Sequence, residues 1–394
     1  MKRTATLVLL SVFLTVTLPL AAQNSLADNY IRDFRAAEGQ VRMQILESSL
    51  ENDPAEMEDL YITVIEHVVS TAGDRITDAA TRNMYQLAVA QLVQVGSNRP
   101  ALRVWELFEL DRDTSQRLRL LEALQVLGQD APRLYSRLAN WVMTQNSLAR
   151  SGSGIDRQVL GEAIQTIASF NDPVFFEALL DTVVYGHPSA IEDPAREAIR
   201  AFGDQQADLL QELIPGQPLE RQLEQLSYVR RRDDLGQQQQ AEIAAAVLRR
   251  AVDRQVSTTG DAVLNRRIRN DAAAMIRAAG YAGASPQVIE HFNVVAVDYE
   301  NRRVSQADLL DAIDTLASVG TQNAAVRLTR YLDFLNTQTQ NDRPVSTQIM
   351  LATVNGLRDL GHAESYSSLF YATMLNYPSR VQTALQDAIE AVQQ

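Results

Sequence analysis

Any chemistry done by this chain has to come from a short inventory of side chains. Its four histidines, His67, His187, His291 and His362, stand far apart. None has a second histidine four residues away with a glutamate between, the spacing that sets two imidazoles on one helix face to hold zinc. They read as ordinary polar or turn residues, and no metal ligand is expected. Carboxylates gather at Glu51, Asp53, Glu56, Glu58 and Asp59. A calcium loop needs a central glycine that this stretch lacks, whereas acids at a helix start complement the helix dipole. Ser151-Gly152-Ser153-Gly154 has the glycines of a phosphate loop without the Lys-Ser/Thr that should follow or the strand that should precede, so it reads as a linker. No Gly-x-Ser-x-Gly elbow is present. The chain has no cysteine, which removes disulfides, thiolate zinc, cysteine nucleophiles and a lipid-modified cysteine. No catalytic residue and no cofactor are expected. Trp105 and Trp141, with Phe108 and Tyr135 nearby, are accounted for by core packing.

Charge is the one feature that marks a surface. The formal net charge is -13, which argues against nucleic acid as a partner because phosphate contacts need a positive field. Basic charge is almost all arginine, Lys2 being the only lysine. Residues 221–303 run against the trend, with 13 arginines facing 10 acids. Within them Arg230, Arg231 and Arg232 form one cluster and Arg266, Arg267 and Arg269 another. If stacked units align the clusters, the six arginines make a stripe suited to a carboxylate-rich or phosphate-bearing partner. The competing reading is a solvated face, paired with Asp233, Asp234, Asp253, Asp261 and Asp271.

The elements that must position these residues are helices. Over residues 158–214, Leu160, Ile164, Ile167 and Ala168 recur at helical spacing until Asn171-Asp172-Pro173 stops the pattern. Phe175, Phe176, Leu179, Leu180, Val183 and Val184 form the stripe of a second helix, ended by Tyr185-Gly186-His187-Pro188. Asp193-Pro194 then opens a third, closed by Gly203. The same grammar recurs along the chain, with hinges at Asn52, Gly96, Gly128, Asn171, Gly203, Gly236, Gly280, Gly320 and Gly361. The step averages about 39 residues, near the 40 to 47 of known two-helix repeats. Every proline after the first 25 residues is expected at a turn or in a first helical turn. Asp53-Pro54-Ala55-Glu56 reads as a capping box, and Asp172-Pro173 and Ser285-Pro286 as capped starts. Residues 336–343 read as a long polar turn. A last helix, residues 379–392, carries Val381, Leu385, Ile389 and Val392 on one face, as a terminal cap should.

Residues 193–203 and 269–280 resemble the second helix of a HEAT repeat, and the chain is similar to HEAT-repeat (armadillo-like) α-solenoid proteins of an exported bacterial type. The resemblance covers nearly all of residues 23–394 but is loose, and the units around Asn52 and Gly236 depart from it. The fold expected is all-α, an α-solenoid of about nine stacked helix pairs in one continuous array with a C-terminal capping helix. Tetratricopeptide repeats are the nearest rival, and their fixed period is missing.

Lys2 and Arg3, the apolar run from Leu7 to Leu20 and the small residues after it read as a signal peptide over residues 1–22, cleaved near Ala22 or Ala27. The chain is therefore expected in the periplasm or secreted, meeting the membrane only through export. The resemblance implies a non-catalytic scaffold whose groove holds another envelope protein or a peptide. The alternative is an accessory or enzymatic cell-wall protein that processes peptidoglycan. A DNA glycosylase of HEAT-like build would need a basic groove and a cytoplasmic address.

Overall fold

The computed structural model describes residues 26–393, so the signal peptide expected over residues 1–22 lies outside the described residues. Among those described there are twenty α-helices and no strand, with a single parallel bridge between Ile76 and Asp111. The chain divides into two compact units, one ending at Arg137 and the other beginning at Leu138.

The first unit holds α1 (Leu26–Ala36), α2 (Gln40–Ser49), α3 (Glu58–Thr71), α4 (Ala79–Val95), α5 (Ala101–Leu110) and α6 (Thr114–Leu127), and the division falls within α7 (Pro132–Arg150). Each helix buries a stripe at helical spacing. In α3 the stripe is Leu60, Tyr61, Val64, Ile65 and Val68. One such stripe cannot be covered by a single neighbour, so α3 touches α1 and α5 as well as α4, and α4 touches α2 and α6 as well as α3. Odd helices therefore line one side of the unit and even helices the other. Trp105 and Phe108, stacked at 4.6 Å between centroids, fill the α5 side of this core.

The second unit continues with α8 (Arg157–Phe170), α9 (Phe176–Tyr185), α10 (Ser189–Ala201), α11 (Gln205–Leu213), α12 (Leu219–Arg230), α13 (Gln237–Val252) and α14 (Thr259–Ala279). It ends with α15 (Ser285–Glu300), α16 (Gln306–Ser318), α17 (Gln322–Gln340), α18 (Thr347–Leu360), α19 (Tyr366–Thr373) and α20 (Ser379–Gln393). From α11 onward the pattern repeats: α11, α13, α15, α17 and α19 touch in succession, and so do α12, α14, α16, α18 and α20. Every one of the nine sequence hinges falls between helices, and always after an even-numbered one. They thus divide the helices into successive pairs.

Local chemistry explains several boundaries. Asp156 caps α8 by accepting from the Gln158 and Val159 N–H groups at 3.1 and 3.2 Å. Asn171 ends the same helix in the left-handed conformation (φ 48°), and Asp172 caps the 3-10 turn at Pro173.

Four sequence expectations need correction. Asp193-Pro194 does not open a helix: α10 begins at Ser189 and carries Pro194 inside it. The earlier start follows Pro188, whose fixed φ suits the residue before a helix, so the chain accepts a missing N–H two turns later. Asp53 caps only an isolated turn, accepting from the Ala55 N–H at 2.9 Å, and α3 starts at Glu58 without a side-chain cap. Ser285 does not cap α15; it lies within the helix, and its hydroxyl meets the Thr321 hydroxyl at 2.6 Å. Residues 336–340 are not a turn but the end of α17, where Asn336 is buried and accepts from the Tyr377 hydroxyl at 3.0 Å.

Candidate functional site

A concavity of the first unit runs along α2, α4 and α6 and holds about 820 Å³. Its apolar lining comes from the half-buried Met43, Leu87 and Val93 and from the edges of the buried Val89, Leu120 and Ala123. Around them stand the amides of Asn83, Gln86, Gln94 and Gln116 and the charges of Arg119 and Glu122. Gln86 donates to Gln116 from α4 to α6, tying the two walls together.

The Tyr85 ring belongs to the same groove, and its position is set from behind by Asp111. This carboxylate is fully buried and accepts from the Tyr85 hydroxyl at 2.8 Å. It also takes two bonds from Arg82, from Nε at 3.0 Å and from Nη2 at 3.2 Å, and one from the Asp113 N–H at 2.9 Å. Arg82 Nη2 also donates to the Ile76 carbonyl, and the Ile76 N–H donates to the Leu110 carbonyl at 3.1 Å. Asp111 thereby locks the α3–α4 connection to the α5–α6 connection. Burial, with the bond to Asp111 second, pushes the Tyr85 hydroxyl far above its ordinary range and keeps it a donor.

The six arginines of the basic stretch fall into different environments. Arg232 is buried, with Nε donating to Asp234 at 2.7 Å and Nη2 to both Asp234 and Gln206 Oε1, the latter at 2.6 Å. Its guanidinium lies 5.4 Å from the Tyr228 ring centre. Arg269 is buried too, 4.0 Å from Asp298. Arg230, Arg231 and Arg267 are exposed and Arg266 half-exposed. Arg230 reaches Asp271 of α14 at 3.9 Å, while Arg231, Arg266 and Arg267 make no ion pair among the described residues. Interior positions thus hold two members of the stripe, and four face solvent.

Arg231 and Arg232 join residues the sequence reading left out. With Arg196 and Arg200 of α10 they line a cleft of about 490 Å³ that also holds Glu192, Tyr228, Asp233 and Asp234. Most of its positive charge is already answered. Arg196 pairs with Glu192 and lies 3.8 Å from Asp193, Arg200 lies 3.6 Å from Asp234, and Arg232 holds the Asp234 carboxyl below its usual range.

The histidines separate as well. His187 is buried with Nε2 2.9 Å from Asn146 Oδ1, and Asn146 donates to the Thr182 hydroxyl at 3.0 Å. His291 is buried beside Arg269, and burial first, then that arginine, push it down to about 3. His67 is half-exposed and meets Arg42. Among the described residues no three His, Asp or Glu side chains converge as a metal site would require. The acidic cluster is bound at its helix start, where Arg99 spans Glu58 at 3.2 Å and Asp59 at 2.8 Å.

Sequence reasoning missed Asp111, Asn146 and Asn336. Each is a polar residue beside a helix boundary or within a long polar run, which a single sequence reads as surface. No protein-family model matches the chain, and no curated protein matches it.

Proposed function

We propose that this protein is an exported, non-catalytic interaction scaffold: a HEAT-like α-solenoid of stacked helix pairs whose groove holds an extended segment of another envelope protein. The observation that carries the reading is the groove along α2, α4 and α6. Its apolar lining rewards burial of side chains at about 25 cal/mol per Å². Its ring of amides answers the other need of an extended peptide, whose backbone N–H and C=O groups must be bonded once water is removed. The succession of odd with odd and even with even helices supports a repeat architecture, because pairs that bury their stripes only against neighbours make such contacts. For export, burial of Ala27 in α1 favours cleavage after Ala22. The exposed Arg230, Arg231 and Arg267, with the half-exposed Arg266, offer a second surface for an acidic segment of the partner.

The test is photo-crosslinking in cells from Ala90 and Gln94, two exposed groove positions, with Glu109 on α5 as control. Capture of one envelope protein from the groove positions alone is the expected result. Reversing Arg230, Arg231, Arg266 and Arg267 to glutamate reports whether the arginines contribute. Retention of glycan strands with no protein captured would replace this reading with a peptidoglycan-processing one.

A further inference from the structure

On the opposite side of the first unit, α1, α2, α3 and α5 enclose a cleft of about 580 Å³ lined by Phe34, Arg35, Arg42, Glu66, His67 and Arg103. In a chain of net charge -13 it concentrates three arginines against one carboxylate. Arg35 and Arg42 make no ion pair among the described residues, unlike the neutralised arginines of the α10 cleft. Arg103 is shared, 3.8 Å from Glu66 and 2.7 Å from Glu106.

The Arg42 guanidinium is held in place without being neutralised. Its Nε donates to the Phe34 carbonyl at 3.3 Å, its Cζ lies 5.7 Å from the centre of the Phe34 ring, and its Nη1 lies 2.7 Å from His67 Nε2. Because a guanidinium only donates, Nε2 must be the unprotonated nitrogen and the imidazole is neutral. The Phe34 ring meets His67 edge-on at 5.6 Å and fixes the imidazole from the other side. A cation spending a hydrogen bond on a neutral imidazole leaves a fixed positive site with unused donors.

We propose that this cleft binds a small oxyanion, a phosphate or carboxylate group, through Arg42 and Arg35 with Arg103 at its edge. Guanidinium groups suit such ligands because their planar donors match two oxygens at once. The site is separate from the peptide groove and does not rest on it. Binding is coupled to protonation of His67. In the free protein, burial and then Arg42 hold His67 below its ordinary value. The other charges around it are Arg35 from α1, Arg103 from α5 and Glu66 on its own helix; α4, its remaining neighbour, puts no charged side chain on the cleft. A bound oxyanion offsets the arginines and accepts from a protonated Nε2, so proton and anion bind each other's state more tightly. Affinity therefore rises as pH falls through the histidine range.

The experiment titrates the full chain with sulfate, whose charge is constant over that range, and with inorganic phosphate and citrate, following the imidazole C–H signals of its four histidines by NMR. Saturable shifts confined to His67, with its titration moved upward by sulfate, are expected. Preference for phosphate and sulfate over citrate identifies a phosphate-type ligand, and the reverse order a carboxylate; both support the site. Arg42→Gln should weaken sulfate binding about tenfold or more, and His67→Gln should remove the pH dependence while leaving part of the affinity. Should Arg42→Gln fail to fold, Arg35→Gln on the exposed end of α1 takes its place. Unchanged signals of the buried Tyr85 and Trp105 rings, in the same unit as the cleft, certify the fold. Absence of saturation with all three probes, or equal binding by the folded arginine variants, overturns the proposal.

Discussion

At the scale of single residues the structure sorts polar groups by what surrounds them, and two predictions follow from that sorting. Asp111 is buried and its bonds run to Arg82, Tyr85 and the Asp113 N–H. Asp111→Ala leaves a cation and a phenol without their acceptor, which costs on the order of 3 kcal/mol, the low end for a broken buried pair because Arg82 keeps some water. Denaturant unfolding should show a lower midpoint at unchanged slope; a change below about 1 kcal/mol would show that water replaces the carboxylate. The second concerns pH. His67, His187 and His291 are each held below the ordinary value of 6.5, mainly by burial. The unfolded chain therefore takes up these protons first as pH falls. Stability is full above the unfolded pKa and is lost as pH drops toward the native values. His291, pushed down to about 3, alone accounts for about 2 kcal/mol between neutrality and pH 5. His291→Gln should flatten the curve of stability against pH over that interval; an unaltered slope would assign the loss to other groups. The sequence disclosed all four histidines but not which are buried, because burial depends on helices that lie far apart along the chain.

At the scale of elements the chain was largely legible. Each hinge named from sequence lies between helices, because left-handed turns and helix stops require residue types that a sequence displays. Pro194 shows the limit: a proline reads as a start, yet tertiary packing of Ile191, Ala195 and Ile199 holds the helix on both sides of it. Asn336 shows another, since its run of polar neighbours suggested a turn while Tyr377, forty-one residues on, supplied a buried partner. Gly356 is a third case, a glycine that punctuates nothing. It lies inside α18, and a Cβ there would stand 2.9 Å from Leu328 Cδ2 and 3.3 Å from the Ala317 Cβ. Close approach of α18 to α16 and α17 uses that missing side chain. Gly356→Leu should cost about 1 to 3 kcal/mol through overpacking, read as a lower thermal midpoint. A neutral result would mean that α18 can slide outward without loss.

At the scale of the whole molecule, what the sequence left illegible was the location of the site. Charge drew attention to six arginines, whereas the structure puts Arg232 and Arg269 in the interior and forms a groove elsewhere, lined mainly by apolar residues and amides. Charge density is visible in a sequence; concavity is a property of several helices at once. The same reasoning predicts how the molecule should come apart. If the helix pairs stack as proposed, stability adds up from pair to pair rather than through one core that fails as a whole. The last helix is the place to test this. On α20, Val381, Leu385, Ala388 and Val392 are buried while Thr383, Gln386, Asp387 and Glu390 face outward, and the helix covers α18 and α19. Leu385→Asp puts a charge at the centre of that contact. Hydrogen exchange should then rise in α20 and α19, less in α18 and α17, and not at all in α1 to α6. A graded loss from the C-terminus is the signature of neighbour-held pairs. Equal loss of protection from end to end would instead show one cooperative fold, and the repeat reading of the chain would have to be given up.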